Sequence, residues 1–332
     1  MRLASTAVFA ACALITACSA GARKSSTGAP MAGGGAPGES PAAQADPRHV
    51  APPHEVRRPS GKLDRAQAQQ YMLALINRDR ATQGLGPVAW DETAARAGQV
   101  HADDMVRNGY TAHWGTDGSV PELRYTEVGG VHMVQENAGC FADAKQREPD
   151  PHPQFDPAAI EKVEDALFHE RPPHDGHRKN ILKRWHTHVG VGLAKAKGVD
   201  VVCVAQEFTD QYGTYDELPR SAKVGQKIRV SGAVSSPARL VGVGIARTAF
   251  APRRTGAELL QTGTYPVPAP YVTYFPKGFV TSIPVTVQGS RFSIEVPLSD
   301  RGQKGLYQVS VWAEVPGTKD FVMISLRTIR VE

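Results

Sequence analysis

Several common signatures are missing from this chain, and each absence excludes something. No HExxH or GxSxG motif occurs, so neither the zinc-protease helix nor the serine-hydrolase elbow is present. No basic stripe occurs, and 38 basic against 33 acidic residues give a formal net charge of only +5. That balance argues against a nucleic-acid partner. No internal repeat of useful period is evident. No apolar run is long enough to make a good spanning helix. Cysteine is scarce, with four in 332 residues.

What is present begins with the N-terminus. Arg2 precedes an apolar, small-residue run ending at Cys18, which fits a secretory signal. Ile15-Thr16-Ala17-Cys18 resembles a bacterial lipobox. That resemblance implies cleavage before Cys18 and lipid on it, hence residues 1–17 as signal peptide and the membrane as a partner. Ser19, not aspartate, follows, which in a Gram-negative organism favours the outer membrane. The expected location is therefore the cell envelope, at the outer membrane or cell surface. Residues 18–60 are rich in Ala, Gly, Pro and Ser and read as a disordered tether.

Export leaves Cys140 and Cys203 as an even pair, for which a disulfide is the default and two buried thiols the alternative. A helix is expected over 63–83, where Tyr71, Met72, Leu75 and Ile76 recur at helical spacing. A second follows Asp91 as N-cap and ends at Gly109, with His101 on its packed face. His113 then stands in a loop between Tyr110 and Trp114. The segment VHMVQENAGCF alternates like a strand, and Glu136 inside it needs a partner or must be neutral. Asp156-Pro157 starts a further helix carrying Ile160, Val163 and Leu167. Gly176 is expected to allow a backbone that other residues resist, just before His177. Val189 to Leu193 and Val201 to Phe208 read as a closely packed β-hairpin. His169, His174, His186 and His188 are expected on surfaces or loops. From about 217 to 332 the chain turns to short β segments, with Phe292, Ile294 and Val296 alternating, as do Tyr307, Val309, Val311 and Ala313. This is the pattern of an immunoglobulin-like sandwich.

Six pieces in order, LINRDRATQGLGPVAWD, ARAGQVHADDMVRNGYTAHWGTDG, QENAG, GHRKNIL, HVGVGLA and CVAQEF, resemble the CAP superfamily of sperm-coating, plant pathogenesis-related group 1 and bacterial secreted proteins. The resemblance covers about residues 66–210. It implies an α+β fold, a three-layer α-β-α sandwich over 61–212 followed by the β-sandwich of 217–332. It also implies a cavity tetrad of His113, Glu136, Glu170 and His177. Leu167 takes the place of the family's aromatic residue three positions before Glu170, and Glu164 is a rival by helical periodicity. His113 and His177 suit a divalent metal such as zinc through neutral imidazoles, with the glutamates behind them. A His–Glu network without metal is the alternative.

Three functions follow. The first is a non-enzymatic, lipid-anchored surface module that binds an unidentified protein or lipid. The second is a metal-dependent, peptidase-like hydrolase with Glu136 as general base. The third is envelope-glycan binding through Tyr265, Tyr271, Tyr274, Phe275 and Phe279 of the β-domain, although such a run also suits the packed end of a sandwich.

Overall fold

The computed structural model describes residues 55–140 and 142–332. The expected signal, Cys18 and most of the tether lie outside these residues. Contacts with the folded domain begin inside the stretch expected to be tether. Val56 packs on the core, and Arg58 forms an ion pair with Glu161.

Helix α1 (Arg65–Thr82) opens on a capping box, with Asp64 accepting from the Gln67 amide at 2.8 Å and Gln67 accepting from the Asp64 amide at 3.0 Å. Strand β1 (Ala89–Trp90) leads to α2 (Glu92–Asn108). Asp91 caps α2, and Gly109, at φ 63°, ends it. Helix α3 (Pro121–Glu127), strand β2 (Met133–Gly139), helices α4 (Pro157–Phe168) and α5 (Gly176–Ile181), and strands β3 (His188–Lys195) and β4 (Val202–Asp210) complete the first unit. Gly176 is the first residue of α5 and is not among the residues with positive φ, so the expected special backbone is absent.

The sheet order is β1-β3-β4-β2, with β2 at an edge. Alternation along β3 and β4 divides the core in two. Val189, Val191, Leu193, Val204 and Phe208 pack with α1 and α4, whereas Ala194, Cys203 and Ala205 face α2. The glycines of β3 set how close α2 comes. A Cβ on Gly192 would lie 2.1 Å from the Gly98 carbonyl carbon, and one on Gly190 2.0 Å from the Ala95 nitrogen. Only glycine fits such a helix–strand approach.

Cys140, just past β2, is bonded to Cys203 on β4 across 63 residues. The double Cys→Ser variant is expected to lose about 4 kcal/mol of stability through loop entropy returned to the unfolded chain. Urea unfolding under oxidising conditions measures it, and a loss under about 1 kcal/mol refutes the estimate.

The second unit starts earlier than position 217. Strand β5 (Gly213–Tyr215) already pairs with β7 of the sandwich. Strands β6 (Ser221–Ala222), β7 (Lys227–Val234) and β8 (Arg239–Thr248) come next, then the short helix α6 (Gly256–Leu259). They are followed by β9 (Val272–Tyr274), β10 (Thr286–Gln288), β11 (Arg291–Pro297), β12 (Gly305–Glu314) and β13 (Val322–Val331). Two sheets, β10-β11-β7-β5 and β6-β13-β12-β8-β9, enclose one core in which the alternating Phe292, Ile294, Val296 and Tyr307, Val309, Val311 all point inward.

The two units are in contact. Met133 packs with Met323 and Leu326, and the Ser325 hydroxyl donates to the Val131 carbonyl at 2.6 Å. The segment between β8 and β9 lies along the loop that carries His113. The Arg254 amide donates to Thr116 O at 2.9 Å, and Tyr265 meets Trp114 edge to face at 5.1 Å.

Candidate functional site

The four residues of the expected tetrad form two separate dyads. The His113 ring meets Glu136 Oε1 through Nδ1 at 2.8 Å. The His177 ring meets Glu170 Oε1 through Nδ1 at 2.6 Å, and its backbone amide donates to Glu170 Oε2 at 2.9 Å. No hydrogen bond or ion pair joins one dyad to the other among the described residues. Both histidine side chains are 9% exposed, so each ring reaches solvent at its rim. A carboxylate on Nδ1 fixes that nitrogen as the donor and leaves Nε2 with the lone pair.

Edge strand β2 separates the dyads. Glu136 points to the α2 face of the sheet, opposite Glu207 of β4. Its neighbour Asn137 points to the other face, opposite Gln206, and donates to the His177 carbonyl at 3.2 Å. One strand therefore orients His113 by a side-chain carboxylate and holds α5 in place by a side-chain amide. Glu164 takes no part in either dyad. It is fully buried on the inner face of α4, where it accepts from Gln206 Nε2 at 2.5 Å. Glu170 is the glutamate at His177.

Behind His113 lies a buried polar cluster that the sequence did not announce. Arg124 of α3 donates through Nη2 to Glu136 Oε2 at 2.6 Å, and both its terminal nitrogens reach the His113 carbonyl at 3.1 Å. Burial alone pushes the Glu136 carboxyl up, but Arg124, then His101 and His113, hold it well below the usual carboxylate range. Glu207 goes the other way. Burial, then the facing charge of Glu136, raises it well above the usual range, so it stays neutral. His101 is fully buried, as expected, and its Nε2 donates to Ala112 O at 2.7 Å. Burial, reinforced by Arg124, lowers it to about 4, so it too is neutral. The cluster thus holds one full ion pair, Arg124 with Glu136, beside the neutral Glu207 and His101. Tyr265 of the second unit closes it by donating to Glu122 Oε1.

His186 lies in the loop before β3, within the expected surface-or-loop placement, but it is buried, and His188 opens strand β3 rather than a loop. His186 is 3% exposed, stacks on Phe208 at 5.1 Å, and its Nδ1 meets Asp210 at 2.6 Å. Burial, with Lys183 and Arg80 nearby, lowers it well below the ordinary imidazole range, and burial raises Asp210. Its Nε2 donates to the Asn180 carboxamide at 3.0 Å, and Asn180 donates in turn to Asn137 at 3.0 Å. His186 is thus a structural post behind α5. His169 and His174 are exposed and His188 is half-buried.

The donor set bears on metal chemistry. Among the described residues no three His, Cys, Asp or Glu side chains gather as a ligand group. Glu136 is held by Arg124 and His113, and Glu170 spends both oxygens on His177. The Nε2 atoms of the two imidazoles remain. Two imidazoles do not fit a three-ligand catalytic zinc centre. No described helix is long and apolar enough to cross a membrane.

Residues 73–208 match the model of the cysteine-rich secretory protein family, CAP. Uncharacterized protein YkwD of Bacillus subtilis (strain 168) is 26% identical over 131 residues, 40% of this chain and 44% of that protein. Uncharacterized membrane protein YlbC of the same organism is 30% identical over 130 residues, 38% of this chain and 31% of that protein. The chain therefore spans less than half the length of either relative. Among solved structures, an extracellular protein containing a SCP domain from Bacillus anthracis str. Ames aligns at TM-score 0.33 and 22% identity, over 43% of this chain and 40% of that one. An outer surface protein from Borrelia burgdorferi aligns at TM-score 0.35 and 14% identity, over 45% of this chain and 98% of that one. By its motif order, its layers and the matched family model, the segment 73–208 is a CAP domain of the cysteine-rich secretory protein family.

Proposed function

We propose that this chain is an exported, lipid-anchored binding module whose CAP domain engages a partner at the rim formed by His113 and His177, without turnover. The observation that carries the reading is the commitment of both glutamates. A general base must be free to take a proton near neutral pH. Glu136 is held well below the usual carboxylate range by Arg124, His101 and His113 against the effect of its burial, and it already accepts from Arg124 and His113. Glu170 is engaged by both the ring and the amide of His177. The hydrolase reading lacks its base, and the glycan reading loses Tyr265 and Tyr274, which are buried.

His113 and His177 are the residues that would hold a divalent ion, each presenting Nε2. An ion held there supplies a Lewis-acidic point for an oxygen donor of the partner. Glu136 and Glu170 fix ring orientation and tautomer in either case. Zinc titration by calorimetry tests the assignment. Weak binding is expected, abolished in the double His113→Ala, His177→Ala variant and reduced roughly tenfold by Glu170→Gln. Metal-dependent peptide hydrolysis that disappears in His113→Ala would overturn the non-catalytic reading.

A further inference from the structure

The exposed apolar side chains of this protein are not scattered. Eight large hydrophobic residues are exposed among those described, and four of them, Tyr271, Phe279, Val280 and Val287, fall between positions 271 and 287. Phe279 is 68% and Val280 99% exposed, side by side at the tip of the connection between β9 and β10. Gly278, at φ 106°, makes the turn that presents them. The loop is built rather than loose. Phe275 pairs with Phe279 at 6.1 Å, the Val285 amide donates to Phe275 O at 2.9 Å, and the Phe275 amide donates to the Thr281 hydroxyl at 3.2 Å. These contacts hold the loop's base together, and the tip presents its side chains outward.

Along the stretch of sequence that carries the tip, the charge has one sign. No acidic residue occurs between Glu258 and Glu295, while Lys277 and Arg291 do. Lys277 is exposed and lies two residues before Phe279. A convex tip of one aromatic and one aliphatic side chain, flanked by a lysine in a stretch of chain without carboxylates, suits a soft anionic surface into which it can sink. It does not suit a glycan, which needs a platform of exposed ring faces. Tyr265 and Tyr274 are buried, and Tyr271 is set edge-on to Tyr307 at 6.4 Å.

We infer that the 275–285 loop of the β-domain is a membrane-contact site that inserts Phe279 and Val280 into an anionic lipid surface. The inference is independent of the His–Glu dyads and of lipid on Cys18. A lipid on Cys18 gives a tether, whereas this tip gives the β-domain a fixed attitude toward the bilayer. The test uses the full chain carrying Cys18→Ser and vesicles of phosphatidylcholine with and without phosphatidylglycerol. Partition into anionic vesicles is expected to fall at least tenfold with Phe279→Ser and Val280→Ser together, and several-fold with Lys277→Glu. Thermal midpoints should stay unchanged, because the replaced side chains are exposed. A Val280→Trp variant makes the readout local, so that the N-terminal stretch does not contribute. Brominated acyl chains should quench the added fluorescence in anionic vesicles. The inference is overturned if that fluorescence is not quenched, if the double serine variant partitions like the parent, or if the chain is retained by purified peptidoglycan through the same two residues and not by vesicles.

Discussion

Arg124→Met is expected to cost about 5 kcal/mol of folding free energy, the upper part of the range for breaking a buried ion pair from one side. Arg124 is 3% exposed, and its guanidinium serves Glu136 and the His113 carbonyl together. Methionine fills much of the volume but leaves a buried carboxylate facing Glu207, with no cation on that face. The carboxylate then escapes by taking up a proton, which gives the loss a pH signature. In the parent Glu136 is ionised well into acid, because its carboxyl lies well below the ordinary value despite burial. In the variant burial raises it, and of its hydrogen-bond partners only His113 remains to oppose that. The cost of Arg124→Met should therefore be smallest near pH 4 and grow toward pH 8. Glu136→Gln in the same chain should recover a large part of it, since no charge is then left unpaired. Urea unfolding of the four chains of this cycle at both pH values gives the answer. A loss that ignores pH and is not relieved by Glu136→Gln would mean that Arg124 acts through packing alone.

That prediction marks the limit of what the sequence disclosed. The frame was legible because it is written in local chemistry. Asp64, Asp91 and Asp156 cap the helices that follow them, Gly109 ends α2, and Val189, Val191 and Leu193 alternate with the glycines of β3. The histidines and glutamates of the dyads were legible through the family motifs, and the disulfide through the count of cysteines left after export. The cation was not. Glu136 in an apolar strand announced that it needed a partner, but Arg124 sits in PELRYTE, a segment whose three charged residues look like an ordinary solvated turn of helix. Glu207 was hidden for a different reason, because the strand motif containing it gives no sign of which residue will face it. Only the β2–β4 register places it opposite Glu136. The burial of His186 was hidden on the same ground: the Asp210 that buries with it lies a full hairpin away.

Contact between the two units is a tertiary fact with no local signal. Tyr265, noted in sequence as part of an aromatic run, is 9% exposed and closes the polar cluster behind His113 through Glu122. The β-domain is thus a wall of the CAP domain's interior as well as an appendage to it. The residues of the aromatic run that stay outside, Phe279 above all, are exposed and free for another surface.

Glu164→Gln should remove a loss of stability that the parent suffers as pH rises. Glu164 is fully buried on the inner face of α4, and its Oε1 finds no partner. Burial first, and the nearby Asp79 second, raise its carboxyl from 4.5 to about 8, with the Gln206 amide acting only partly against them. The folded chain therefore keeps this proton up to about pH 8, while the unfolded chain gives it up near 4.5. Between those values the folded state binds more protons, so stability falls as pH rises and levels off above the folded value. A gap of that size corresponds to about 5 kcal/mol, taken as an order of magnitude. Glutamine accepts from Gln206 as glutamate does but carries no ionisable proton, so the variant lacks this loss. Asp210 and Glu207 titrate in both chains and cancel in the difference. Unfolding free energies measured from pH 5 to pH 8.5 should show the variant gaining steadily on the parent, with most of the gain complete by pH 8. Parallel curves would mean that Glu164 ionises in place, with water or a cation reaching its Oε1.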